Sequence, residues 1–249
     1  MTSLLLALQF FTIFPVNKNL PMENRQITGM YSLFPLIGAF IGVLTCTLLY
    51  FEWSPLMTAF SIVLLGILLS GGLHLDGFID TSDAFFSYRD RVKRFEILDD
   101  PRVGAFGVMA VVLLVIGKII IVAEMLSSES FHWIFVLLIP LFSRATLTFL
   151  FALTPSAKES GLAHFFQQKM SGSVVQVVAS LYFFVGIATI GWFTDWMIAL
   201  TFVAVLIIFI CLFRNWVMKN FGGVTGDLLG ASVEVSEVVL WLTLLLLLS

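Results

Sequence analysis

The sequence predicts an all-α, polytopic membrane protein of about seven transmembrane helices, with further interfacial helices on the cytoplasmic side. Three observations predict it. The 249 residues are 59% hydrophobic and only 12% charged, with a mean hydropathy of +1.04, whereas soluble domains run near ~45–50% apolar and ~25% charged. Long apolar runs recur between short polar breaks. Basic residues occupy alternate breaks and leave the others bare. No stretch is long enough for a separate soluble domain, so residues 1–249 read as a single integral-membrane domain.

In chain order, Ser3–Val16 is apolar but short for a crossing at ~20 residues each. It lacks leading positive charge and a small-residue cleavage site, which argues against a signal peptide and for an interfacial or re-entrant helix. Seven spans are then expected, at Tyr31–Phe51, Leu56–Leu75, Ala105–Leu126, His132–Leu153, Val174–Trp192, Trp196–Phe213 and a last one from near Leu228 to Leu248. Val238–Leu248 alone is too short to cross, so that last helix must carry Glu234 and Glu237 in its early turns. Between spans, Arg89–Asp100 and Ser160–Gly172 space their apolar residues as helices lying on a membrane surface would.

Charge orients these spans. Counting loops alternately from Asn17–Met30, one side receives Lys18, Arg25, Arg89, Arg91, Lys93, Arg94, Arg102, Lys158, Lys169, Arg214 and Lys219. The other side receives no Lys or Arg. The positive-inside bias makes the basic side cytoplasmic, with the N-terminus inside and the C-terminus outside. The net charge of −3 is uninformative beside this asymmetry. Cys46 and Cys211 lie in apolar spans without metal-ligand spacing and read as packing residues.

Three clusters could carry chemistry, all on the basic side. In Gly71–Ala84, a continuous helix places Asp76, Asp80 and Asp83 in one narrow sector. Clustered carboxylates without Cys or His suit a hard cation such as Mg2+, shared with a substrate phosphate. The plainer reading is a solvated helix end. Glu96, Asp99 and Asp100 precede Arg102 and Gly104; Arg102 can fork onto a phosphate, although the pattern also fits salt bridges within a helix. Gly222–Asp227 is a glycine-rich turn in which Thr225, Gly226 and Asp227 can cradle an anion or metal–phosphate unit, or simply cap the next helix. Glu234 and Glu237 follow. Lys118 and Arg144 lie inside spans, where a charge costs roughly 2.5–3.5 kcal/mol and usually faces a polar interior. They are candidates for binding a phosphate or pairing with the acids.

Together these blocks resemble the cobalamin synthase (adenosylcobinamide-GDP ribazoletransferase) family over nearly the whole chain. The resemblance is carried by Phe11-Thr-Ile-Phe-Pro15, Phe34-Pro-Leu-Ile-Gly38, Gly72-Leu-His-Leu-Asp-Gly77 with Asp80 and Asp83, Glu96-Ile-Leu-Asp-Asp100, Arg102, Gly104, Phe106-Gly107, and Gly226-Asp-Leu-Leu-Gly-Ala231 with Glu234 and Glu237. Asp99 departs from the family's expected Lys, and Pro101 from a small hydroxyl residue. The resemblance implies a Mg2+-dependent transferase in the bacterial or archaeal cytoplasmic membrane. A ribose hydroxyl of α-ribazole, or of its 5′-phosphate, displaces GMP from adenosylcobinamide-GDP to give adenosylcobalamin or its 5′-phosphate. Expected metal ligands are Asp76, Asp80, Asp83, Asp227 and Glu234. Asp80 or Asp83 is the expected base, and Arg102, Lys118, Arg144, Thr225 and Gly226 would contact the nucleotide or the developing charge. Expected partners are these small molecules and the lipid bilayer, with no nucleic acid; self-association into a homo-oligomer is left open.

Two other classes compete. CDP-alcohol phosphotransferases and polyprenyl transferases also pair spaced aspartates with Mg2+ and a diphosphate, but Asp76-Gly77 is followed by Phe78-Ile79-Asp80-Thr81 rather than by Ala-Arg, and the second cluster is glycine-rich. A cation-coupled transporter would hold its charges near the bilayer midplane in repeated halves, and no halves repeat here.

Overall fold

A computed structural model describes residues 1–248. Its elements in order are α1 (Thr2–Phe11), α2 (Asn24–Cys46, extended by a 3-10 turn to Tyr50), α3 (Pro55–Leu69), α4 (Leu73–Phe86), α5 (Arg91–Leu98), α6 (Ala105–Ser127), α7 (Ile134–Leu153), α8 (Leu162–Lys169), α9 (Gly172–Phe193), α10 (Trp196–Asn220) and α11 (Gly226–Leu248). Six of these, α2, α6, α7, α9, α10 and α11, are long and apolar enough to cross a membrane. The α3 and α4 pair would supply a seventh, but the two are bent by 91° at a break.

That break corrects the expected span Leu56–Leu75. The α3 helix ends at Leu69 because Gly71 and Gly72 adopt left-handed backbone, with φ of 64° and 71°. Gly72 N–H donates to Ile67 O and Gly71 N–H to Leu68 O, a Schellman closure that stops the helix. The α4 helix therefore leaves the direction of α3 at nearly a right angle. Other bounds shift less. The α2 helix starts at Asn24 rather than Tyr31, and α10 continues to Asn220 rather than Phe213.

The α7 helix is the hub. Its sequence is largely apolar apart from Arg144 and a few hydroxyl residues, and it is buried along almost its whole length, against α2, α9 and α11. The contact with α2 is backbone to backbone: a Cβ at Gly38 would lie 2.2 Å from Pro140 O, and one at Gly42 would lie 2.4 Å from Leu137 O. By contrast α6 leaves Val108, Val112, Leu113, Ile116 and Ile120 exposed, as lipid contact requires.

Surface-helix expectations for Arg89–Asp100 and Ser160–Gly172 correspond to α5 and α8. Both sit at one end of the bundle, where Arg94 donates to Asn220 Oδ1 at 3.0 Å and Lys169 to Met22 O at 2.8 Å. The α1 helix packs Leu6, Ala7 and Phe11 into the core shared with Ile27, Met30 and Phe34 of α2. Thus the loops that carry the basic residues gather at one end.

Candidate active site

The first and third sequence clusters meet where α4 crosses the start of α11. A Cβ on Gly77 would lie 2.7 Å from Asp227 O and 2.8 Å from Asp227 Cα, and one on Gly230 would lie 3.2 Å from His74 O. Two glycines 153 positions apart in the chain thus let two backbones touch. The crossing sets Asp227 against the face of α4 that carries Asp76 and Asp80. The Asp80 carboxyl is pushed up to about 6, by burial first and then by the neighbouring Asp76, Asp227 and Asp83. Asp76 is exposed and Asp80 and Asp227 are half-buried, so the group opens to solvent.

Asp227 is held by local structure. Thr225 caps α11: its Oγ1 accepts from Leu228 N–H and donates to Asp227 Oδ2, both at 3.3 Å. Gly226 has no atom within 4 Å of where a Cβ would sit, so the helix start is open to a ligand. The turn before it is stitched to the loop after α7, with Ala157 N–H donating to Val224 O at 2.9 Å and Val224 N–H to Pro155 O at 2.8 Å. A Cβ on Gly223 would lie 2.5 Å from Pro155 O, which explains that glycine. This stitching brings in Lys158, which the sequence marks only as one of the basic loop residues. Lys158 Nζ lies 2.7 Å from both Asp99 oxygens and its charge also acts on Asp227. Nothing in the spacing from 158 to 227 signals that proximity.

Other expected site residues have partners of their own. Asp83 points away from the solvent opening, into the start of α6, where Gly104 and Gly107 donate to it. Arg102 is exposed and its fork is taken by Asp100, with Nε–Oδ1 at 2.9 Å and Nη2–Oδ2 at 2.7 Å. That guanidinium holds the Asp100 carboxyl down at about 2. Glu96 pairs with Lys93 one turn away on α5.

Lys118, Arg144, Glu234 and Glu237 form a separate buried network in the bundle. Lys118 Nζ lies 2.7 Å from Glu234 Oε2 and 2.9 Å from Glu237 Oε2, while Arg144 pairs with Glu237 Oε1, which also accepts from Ser143 Oγ at 3.2 Å. A cavity of about 40 Å3 adjoins all four, large enough for a water. The intramembrane cations are thus matched by glutamates of the third cluster rather than by the aspartates, and Glu234 stands with Lys118. His74 packs near Phe34 with its Nε2 unbonded among the described residues.

Among the described residues no three His, Cys, Asp or Glu side chains converge closely enough to chelate an ion by themselves. The donor set nonetheless fits Mg2+, which usually takes one or two carboxylates and completes its shell with water and substrate phosphates. A carboxyl such as Asp80, crowded by neighbouring carboxylates, is the arrangement a divalent cation relieves.

The fold and site define a polytopic membrane protein with an open cluster of aspartates at one end, built by two motifs that cross backbone to backbone. Residues 3–245 match the family model described as cobalamin-5-phosphate synthase, and the chain belongs to that family. It is 36% identical over 245 residues to the adenosylcobinamide-GDP ribazoletransferase of Geobacillus thermodenitrificans, covering 95% of this chain and 92% of that protein. It is 32% identical over 250 residues to the enzyme of the same name from Clostridioides difficile, covering 96% and 95%. A third, from Acinetobacter baumannii, is 31% identical over 248 residues, covering 98% and 96%. No solved structure matches the chain.

Proposed function

We propose that this protein transfers the adenosylcobinamide-phosphate group from adenosylcobinamide-GDP to α-ribazole or its 5′-phosphate, releasing GMP. The product is adenosylcobalamin or its 5′-phosphate. The observation that carries this reading is the crossing of α4 and α11, which joins the two motifs of the family into one carboxylate cluster. Asp76, Asp80 and Asp227 would hold Mg2+ there, and the bound ion would supply charge neutralisation on the diphosphate. The ribose oxygen forms a bond to the phosphorus carried by the corrinoid side arm, its proton is lost to solvent, and the phosphoanhydride bond to GMP breaks. Lys158, whose charge acts on Asp227, would supply an ammonium for the departing phosphate, and Gly226 leaves the α11 start open to it. The basic loops that share this end support its facing the cytoplasm of a bacterial or archaeal cell.

The test is GMP release by the purified protein in detergent. It should require adenosylcobinamide-GDP, α-ribazole and a divalent cation together, and Asp80→Asn should lower the rate by roughly 100-fold or more. Release without α-ribazole, or an Asp80→Asn enzyme at full rate, would refute the proposal.

A further inference from the structure

Asp83 shares the acidic face of α4 by spacing, but its surroundings differ from those of Asp76 and Asp80. It is only 8% exposed. Its Oδ2 accepts from Gly104 N–H at 2.7 Å and its Oδ1 from Gly107 N–H at 2.8 Å. Those donors belong to the N-terminus of α6, whose own N-cap residue, Gly104, provides no side-chain cap. The first amides of a helix need acceptors, and a carboxylate there is also favoured by the helix dipole. An acid from another helix thus fills a place usually taken by a Ser, Thr, Asp or Asn at the cap itself.

The glycines fit the same account. Gly104 has φ −87°, which any residue can adopt, so backbone freedom does not explain it. A Cβ there would lie 2.4 Å from Asp83 Oδ1 and 2.7 Å from Asp83 Cγ, and its three nearest atoms would all belong to Asp83. At Gly107 a Cβ would lie 2.4 Å from Asp83 Oδ2 and 2.7 Å from Ile79 Cγ2. The cradle admits one carboxylate and nothing larger.

We propose that Asp83 is a positioning residue that clamps the start of α6 onto α4 and thereby sets the face carrying Asp76 and Asp80, and that it does not ligate the metal. The metal half of this statement rests on the function proposed above; the clamp does not. Two measurements on the purified protein in detergent test them separately. Mn2+ affinity, read by electron paramagnetic resonance, should fall by more than about tenfold in Asp80→Asn and by less than about threefold in Asp83→Asn. The Asp83→Asn enzyme should lose turnover without a shift in the divalent-cation concentration that half-saturates it. Equal loss of Mn2+ affinity in the two variants overturns the assignment. Thermal unfolding reads the clamp directly: Gly104→Ala should lower Tm in the parent and have no further effect in an Asp83→Ala background. Additive effects of Gly104→Ala and Asp83→Ala overturn the clamp. If the parent binds no Mn2+, the metal reading of the site fails, and this mutant cycle still decides whether Asp83 holds α6.

Discussion

Lys118 sits on a helix that is otherwise almost wholly apolar, and it is tolerated because two glutamates of α11 face it. A buried ion pair is weak evidence for stability, since desolvating both ions offsets much of their attraction. Removing one partner is different, because a buried charge is left alone, at a cost of about 3–5 kcal/mol. Lys118→Met should therefore sharply reduce folded yield and Tm in detergent, while Lys118→Met with Glu234→Gln should recover part of the loss, Glu237 keeping Arg144 and Ser143. A Lys118→Met protein that melts like the parent would show that the network does not hold the bundle. The sequence shows that these charges need partners but not which ones, because the pairing spans more than 90 positions. Likewise the offsets 76, 80 and 83 place three aspartates on one helix face, yet only the position of α6 takes Asp83 away from the other two.

At the level of elements, the seam between α2 and α7 depends on Gly38 and Gly42, four residues apart, the spacing that lets membrane helices approach closely. A methyl at Gly38 would meet the Pro140 carbonyl, which belongs to backbone and cannot swing aside. Gly38→Ala should destabilise by about 1–3 kcal/mol, as overpacking does, lowering Tm by roughly 5 °C. Gly117→Ala on α6, where a Cβ meets nothing within 4 Å, is the control and should leave Tm unchanged or raise it. Equal melting of the two variants would remove the seam as a stabilising contact. The apolar runs revealed most helices to within a few residues. The break at Gly71 and Gly72 escaped them, because apolar sequence continues through Leu75 and hydropathy records composition rather than direction.

For the whole molecule, contacts between remote loops agree with the charge partition. Lys158 meets Asp99, Arg94 meets Asn220, Lys169 meets Met22, and Ser171 N–H donates to Thr28, so the basic loops share one end. The orientation proposed above, with this end facing the cytoplasm, rests on the positive-inside bias. In a protein whose Cys46 and Cys211 are replaced by Ala, a membrane-impermeant thiol reagent applied to intact cells should label Ser130→Cys. It should spare Ser160→Cys until the cells are opened. Both positions are exposed. The reverse pattern would put the aspartate cluster outside the cell.

The sequence by itself determined that the chain is a helical membrane protein, which family its motifs resemble, and that its acids and bases crowd one side. Those are properties of composition, periodicity and local spacing. Tertiary structure alone decided that α4 turns through a right angle, that Gly77 meets Asp227, that Lys118 and Arg144 face glutamates, and that Asp83 caps a helix beginning 22 residues later in the chain. Each of these depends on which backbone passes close to which, and helices in lipid settle that by shape and by partners for buried charge.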